Sequence, residues 1–492
     1  MAEAALEIKL RDGTVRGRRL GDLRTWRGIP YAAPPVGRLR LRAPQPVQPW
    51  TGVRDATEFG LSAPQGGRFK KTSEDCLTLN VVAPTQPGPP RPVMVFIHGG
   101  AYISGSSANR LYRGHHLVKR GDIVYVSINY RIGGLGYIDF RGFSTPDNEF
   151  DVNCGLRDQV AALQWVRDNI AEFGGDPDNV TIFGESSGGN AVTTLMCTPS
   201  AHGLFRRGIA ESPPSASTYG PQRAQGWADK FVEILGGGDD PARRLRTASV
   251  AELVAATEKL TRHEVESHPG QRATAPVIDG EVLPVDPLEV FAAGKAAPLP
   301  LIIGTNAHEG RVFPKTMDIL PTTPARITKM FSETDDALRD SIIARYPGYP
   351  DAKACAQLAG DVVFWEPAIL VAQGHSAAAP TWSYNYQFAP RLLEWLGLGA
   401  THATELFAVF GIRNDPFGII LTLFGGRSGL REVTETFQKH WLHFAHHGTP
   451  APGWEAYDAE RRATLIIDEV SRMEDDPLKD VRESWIGYKH RR

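Results

Sequence analysis

Residues 180–190 read Val-Thr-Ile-Phe-Gly-Glu-Ser-Ser-Gly-Gly-Asn, so a serine stands at G-x-S-x-G spacing directly after a β-type run. Residues 190–196 can continue as a helix. A strand that turns sharply into a helix pushes the serine oxygen out above its sheet, and glycines two residues to either side let strand and helix approach. Loose matches to this pattern are common in Gly/Ser-rich loops, but the strand before and the helix after single out Ser186 as a nucleophile. A serine nucleophile attacks carbonyl carbon. It needs a base, a group to orient that base, and N–H donors for the oxyanion.

The backbone N–H of Ser187 supplies one donor. The others can come from His98-Gly99-Gly100-Ala101, which follows the apolar run 93–97, because small residues let the backbone come close. If the chain order is serine, acid, histidine, the acid lies among Asp286, Glu309 and Asp361. Glu309 follows the buried-strand pattern at 299–304 and precedes Gly310, as a strand-end acid should. Its bland alternative is a surface carboxylate or a helix cap. The histidines after Glu309 are His375, His402, His440, His443, His446, His447 and His490. His402 lies in a loop between the strand pattern near 384–388 and the apolar run 406–410, free to reach a serine. The group at 440–447 lies on a helix. His443 and His447 share a face at i,i+4 spacing, but no carboxylate or cysteine at ligand spacing completes it, so packing or surface is expected and no metal.

These residues need a scaffold. The runs at 93–97 and 123–128 are apolar throughout, as strands buried on both faces are. Residues 153–173 have helical periodicity and stop at Gly174-Gly175. Residues 176–179, Asp-Pro-Asp-Asn, read as a turn before the strand at 180–183. Strand, helix, strand in that order predicts an α/β fold with a parallel sheet, whose carboxyl ends gather function. Short alternating segments at 6–10, 14–20 and 25–31 predict a small N-terminal antiparallel region on the edge of the larger sheet. Further strands are expected at 77–82, ending at 209–210, at 299–304, 382–388 and 464–468. Helical insertions are expected at about 222–268 and 311–380, with a helix over 432–446.

At 492 residues the chain holds either two domains or one large core with insertions. Fifty-four Lys+Arg balance 56 Asp+Glu, which argues against nucleic acid or an anionic membrane surface as the main partner. No run reads as a membrane span. The N-terminus lacks the basic region and apolar core of a signal peptide. The four cysteines, Cys76, Cys154, Cys197 and Cys355, are too sparse for a disulfide framework or a metal knuckle. A cytoplasmic setting with free, buried thiols is expected.

With these residues in place, the chain resembles the type-B carboxylesterases, which include the bacterial para-nitrobenzyl esterases and the cholinesterases. The resemblance rests on several long stretches in order: Trp26-Arg-Gly-Ile-Pro-Tyr-Ala-Ala-Pro-Pro-Val-Gly37, Glu74-Asp-Cys-Leu-Thr-Leu-Asn-Val81, Gly184-Glu-Ser-Ser-Gly-Gly189, Ala400-Thr-His402 with Glu405-Leu406, and Trp441 to Gly448 with Trp454 and Tyr457. It implies one α/β-hydrolase domain over residues 1–492, with the two insertions forming a gorge or cap. It assigns the nucleophile to Ser186, the acid to Glu309, the base to His402, and the oxyanion donors to Gly100, Ala101 and Ser187. Glu185 and Ser212 match supporting residues beside and behind the triad.

There are departures. Ala101 stands where many members have a third glycine, so bulky tertiary-alcohol esters are not expected substrates. Ser187 stands where alanine is usual, and its hydroxyl changes local hydrogen bonding. No cysteine precedes Cys76, so the disulfide of secreted members cannot form.

The expected activity is hydrolysis of small to medium apolar esters through an acyl-enzyme, without cofactor. The substrate walls are expected among Tyr102, Tyr219, Phe313, Phe364, Trp365 and Phe388. The partner is a small-molecule ester, and the chain is expected as a monomer or weak homodimer. The same triad would serve an amidase, a thioesterase or a dedicated detoxifying esterase. A non-catalytic binding protein on this fold is the remote rival.

Overall fold

The computed structural model describes residues 6–67 and 71–490. Its strands in chain order are β1 (Glu7–Lys9), β2 (Thr14–Arg16), β3 (Arg18–Leu20), β4 (Leu23–Pro30), β5 (Val53–Asp55), β6 (Thr78–Pro84), β7 (Arg91–Ile97), β8 (Val124–Ile128), β9 (Gly175–Glu185), β10 (Arg207–Glu211), β11 (Leu301–Asn306), β12 (Thr381–Tyr386), β13 (Ala463–Ile467) and β14 (Arg472–Asp475). β1, β2 and β5 form a small sheet. The other eleven form one large sheet in the order β3-β4-β6-β8-β7-β9-β10-β11-β12-β13-β14. From β8 to β13 every pair is parallel, and the strands outside that block are antiparallel. The mostly parallel sheet with an antiparallel N-terminal edge is the α/β architecture expected.

The apolar runs behave as period-two strands buried on both faces. In β7, Val93, Val95 and Ile97 join one core with Leu156 and Leu163 of helix α1 (Cys154–Asn169). Met94 and Phe96 join the other, where the long helix at Arg427–His447 adds Val433, Phe437, Trp441 and Phe444. Each fully buried large side chain contributes roughly 1.5–3 kcal/mol, so the sheet that carries the loops is stiff.

Several boundaries differ from the sequence reading. The segment 14–20 is two strands, because the chain crosses from the small sheet to the large one at Gly17. Residues 176–179 do not leave the sheet. They lie in β9, where an Asx turn (Asp178 N–H to Asp176 Oδ1, 2.9 Å) and a register shift against β7 absorb the extra residues as a bulge. β5 has no buried residue, so its sequence gave no alternation to read.

Both expected insertions are helical, with α3 (Pro221–Leu235), α4 (Pro241–Thr247) and α5 (Val250–Ser267) following α2 (Ser187–Met196). In the second, a continuous helical run, α6, extends from Ala352 to Ser376. It corrects the expectation that no stretch has the length and apolarity of a membrane span, but most of it is buried inside the fold. The run is irregular at Asp361–Trp365, a π-helical turn in which Glu366 N–H reaches back to the Asp361 carbonyl. The cause is Pro367, which has no N–H to give Val363 and whose ring crowds that carbonyl. All four cysteines are buried and free.

Candidate active site

The carboxyl ends of β7, β9, β10 and β11 lie side by side, and each delivers part of one buried cluster. β9 runs into α2 through Ser186, whose backbone is held at φ 59°, ψ −126°. A positive φ is costly for a serine, and neighbours hold it: Ser186 N–H donates to the Glu211 carbonyl at 2.9 Å, and Ser186 accepts from Asn190 N–H at 2.9 Å. The two glycines do what the motif needs. A Cβ on Gly188 would come 2.0 Å from the Ile97 carbonyl oxygen, and one on Gly184 would come 2.6 Å from Gly188 itself.

The loop after β7 lies against this turn. A Cβ on Gly99 would sit 3.0 Å from Ser186 Cβ and 2.5 Å from the Glu185 carbonyl. Gly100, Ala101 and Tyr102 all have positive φ, at 120°, 56° and 57°. The N–H groups of Gly100 and Ala101 carry no hydrogen bond among the described residues. Tyr102 N–H donates to Ser187 Oγ at 3.3 Å, so the serine that departs from alanine ties the helix start to the loop. His98 is taken out of the chemistry: it is buried, stacked on Tyr130 at 4.5 Å, and pushed down to about 4 by desolvation.

Glu309 and His402 meet. His402 Nδ1 lies 2.6 Å from Glu309 Oε2. Glu309 Oε1 accepts from Ser212 Oγ at 2.6 Å and from Asn306 N–H at 2.7 Å. Gly310 lets α6 pack on this strand end, since a Cβ there would strike the Ala356 carbonyl at 1.8 Å. Backbone pairing between His308 and Thr401 brings the histidine loop alongside. The imidazole lies against Phe364, centroids 4.3 Å apart, and Phe313 at 5.1 Å.

The link from His402 to Ser186 is not a hydrogen bond in this structure. His402 Nε2 lies 3.0 Å from Glu185 Oε1 without alignment, and both atoms are buried without a hydrogen-bond partner. Serine–histidine contacts in unliganded sites are often loose and tighten with substrate.

Behind the histidine lies a group that the sequence reading missed as a group. Glu405, fully buried, accepts from Asn306 Nδ2, and its other oxygen is 3.3 Å from Ser212 Oγ. Desolvation, then Glu185 and Glu309, push its carboxyl up to about 8. Ser212 Oγ thus sits between the two carboxyls, 2.6 Å from Glu309 and 3.3 Å from Glu405. Burial and Glu309 raise Glu185 well above the usual carboxyl range, and burial followed by Glu405 does the same for Glu211, which accepts from Trp441 Nε1 at 2.7 Å. Glu211, Asn306, Glu405 and Trp441 were visible only as polar residues at strand ends or inside motif stretches. Asp286 and Asp361 lie elsewhere: Asp286 caps a helix, and Asp361 accepts from Gln357 on α6, its carboxyl raised to about 7 by burial.

Of the expected walls, Phe313 and Phe364 touch the imidazole. Tyr102 is buried against Tyr137 and accepts from Asn190 Nδ2. Tyr219 packs on Trp227 and accepts from Arg272 N–H at 3.0 Å. Trp365 packs in the core of the second insertion, and Phe388 lies in the core beneath the Arg427–His447 helix, against Gly429. A cavity of about 310 Å³ opens beside the glycine loop, lined by Ile103, Ser104, Leu135, Leu253, Thr316 and Met317 among others; Ser186 is not in its wall.

The sheet order, the sharp turn at Ser186 and the strand-end acid define an α/β-hydrolase. The chain belongs to the carboxylesterase family, whose model matches residues 4–485, and it is a carboxylic ester hydrolase. It is 35% identical to the para-nitrobenzyl esterase of Bacillus subtilis (strain 168), over 97% of this chain and 98% of that one. It is 33% identical to the fumonisin B1 esterase of Sphingopyxis macrogoltabida, over 91% and 83%. Among solved structures, a PNB esterase superposes with a TM-score of 0.85 at 35% identity, covering 97% of this chain and 99% of that one. A Geobacillus stearothermophilus carboxylesterase superposes at 0.86 and 33%, covering 98% and 100%.

Proposed function

We propose that ester hydrolysis in this chain runs through Ser186, His402 and Glu309. The observation that carries the reading is the 2.6 Å contact between His402 Nδ1 and Glu309 Oε2, which fixes the proton on Nδ1 and leaves Nε2 as the base. His402 Nε2 takes the hydroxyl proton as Ser186 Oγ attacks the ester carbonyl. The N–H groups of Gly100, Ala101 and Ser187 receive the oxyanion. Collapse expels the alcohol, which takes its proton from His402. Water, activated by the same nitrogen, then attacks the acyl-enzyme, releasing the acid and restoring Ser186. Glu185 and Ser212 support the triad.

Phe313 and Phe364 around the imidazole, and the largely apolar cavity beside the loop, support small to medium esters with apolar parts. Leu253 from the first insertion, and Phe313 and Met317 from the second, support a gorge built by both. Four free, buried thiols support a reducing, cytoplasmic setting.

The test is Ser186→Ala with p-nitrophenyl butyrate. Turnover is expected to fall by about 10⁴-fold or more, together with loss of fluorophosphonate labelling. Turnover near that of the parent protein would sink the proposal.

A further inference from the structure

Arg272 is buried, with 7% of its surface exposed. Its Nη2 has no hydrogen-bond partner among the described residues, and no carboxylate is among the groups that act on its charge. Its surroundings connect it to Phe364 and to the glycine loop. The guanidinium carbon lies 5.8 Å from the ring centroid of Phe364, the ring on which His402 rests. The Arg272 backbone N–H is tied to the Tyr219 hydroxyl, and Thr274 Oγ1, two residues on, donates to the Ala101 carbonyl at 3.3 Å. The segment is therefore pinned between Tyr219 and the glycine loop, and Phe364 is the ring that the guanidinium and the imidazole both approach.

A buried cation without a counter-ion is expensive. Desolvation lowers the Arg272 pKa, and the groups that act the other way are the hydroxyls of Tyr219 and Tyr102 rather than an acid. Contact with the Phe364 face recovers part of the cost. A buried, unpartnered donor calls for an explanation, and a planar guanidinium fork matches a carboxylate in shape and charge.

We propose that Arg272 binds a free carboxylate carried by the ester, so that the preferred substrates are anionic: half-esters of short dicarboxylic acids, or esters whose alcohol part bears a carboxylate. The inference rests on the Ser186 reading above and narrows its substrate class. The scissile carbonyl sits under the glycine loop while the free carboxylate pairs with Arg272 across Phe364. The ester in the pocket then completes an ion pair that the protein leaves open.

The test compares matched substrates on the parent protein, Arg272→Met and Arg272→Lys. Mono-4-nitrophenyl glutarate is set against 4-nitrophenyl hexanoate for a carboxylate on the acyl side. 3-Acetoxybenzoate is set against phenyl acetate for one on the alcohol side. In one pair or the other, the parent is expected to favour the anion. Arg272→Met should lower the anion-to-neutral ratio of kcat/KM by roughly 10- to 100-fold, mainly through KM, and Arg272→Lys should restore part of it. The responding pair identifies the side. Free glutarate should inhibit neutral-ester hydrolysis competitively in the parent and far less in Arg272→Met. Equal ratios in parent and variant for both pairs would overturn the proposal. So would a parent that neither prefers the anion nor is inhibited by glutarate, a result that needs no variant to fold. Neutral-ester turnover that survives Ser186→Ala would instead refute the underlying mechanism.

Discussion

His402 Nε2 lies 3.0 Å from Oε1 of Glu185, the residue immediately before the proposed nucleophile. An ionised Glu185 would set a second carboxylate charge against the nitrogen proposed to take the serine proton. Burial and the neighbouring Glu309 raise its pKa well above the usual carboxyl range, which favours the neutral carboxyl. A neutral carboxyl and a carboxamide have nearly the same shape. Glu185→Gln is therefore expected to keep kcat/KM for p-nitrophenyl butyrate within about threefold, while Glu185→Ala loses about tenfold or more by leaving a gap beside the imidazole. A severe loss in the glutamine variant would mean that the charge is needed.

The Nδ1 contact makes a separate prediction. With an amide in place of the Glu309 carboxylate, the imidazole can be held in the wrong tautomer and the cation formed during attack loses its partner. Glu309→Gln is expected to lower kcat by about 10³- to 10⁴-fold while labelling by a fluorophosphonate slows but persists. Steady-state rates and labelling rates measured together check this.

Glu405 gives the chain a pH signature in stability. Its pKa is raised from the ordinary 4.5 to about 8 in the folded protein. Across that window the native state holds a proton that the unfolded chain releases, so this group's effect is to lower stability as pH rises. Glutamine cannot ionise. The melting temperature of Glu405→Gln relative to the parent should therefore climb between about pH 5 and about pH 8.5. A constant difference across the range would show that Glu405 is not held neutral.

Arg131 and Asp158 form a bidentate pair, at 2.8 and 2.7 Å, with side chains 2% and 0% exposed. Arg131 also donates to the Arg42 carbonyl, so the pair ties the N-terminal region to α1. Arg131→Met strands a buried carboxylate and is expected to destabilise the fold by about 3–5 kcal/mol in denaturant titration. Arg131→Met with Asp158→Leu should recover a large part.

Ala101 is held at φ 56°, a conformation that glycine adopts freely. Removing its methyl group makes room beside the glycine loop. Ala101→Gly is expected to raise the ratio of tert-butyl acetate to n-butyl acetate hydrolysis several-fold. An unchanged ratio would place the steric limit elsewhere.

The sequence carried much of this site because its parts follow local rules. Gly184 and Gly188 flank Ser186 for contact reasons that any tight strand-to-helix turn imposes. Glu309 follows a strand whose apolar run is plain, and His402 lies in a loop between readable elements. The parts that were not legible depend on distant packing. Glu405, Glu211 and Asn306 become one array only when β10, β11 and the histidine loop come together. Phe388 and Trp365 have the composition of pocket walls, yet distant packing puts both in cores, Phe388 just past the end of β12 and Trp365 on α6. Arg272 stands in an irregular segment without periodicity, so only the folded structure reveals that no acid among the described residues pairs with it. The bulge in β9 was hidden because Asp-Pro-Asp-Asn is turn chemistry that the sheet absorbs without breaking.

The burial of every thiol has a practical corollary. Cys76 and Cys197 lie in the core on one face of the sheet, and Cys355 lies in the second insertion. In the resting molecule none is open to an alkylating reagent. Pulse modification followed by peptide mapping would therefore time the opening of the sheet core and of the insertion separately, with no label introduced. A second insertion that breathes faster than the sheet would register first at Cys355, giving the wall around His402 its own clock.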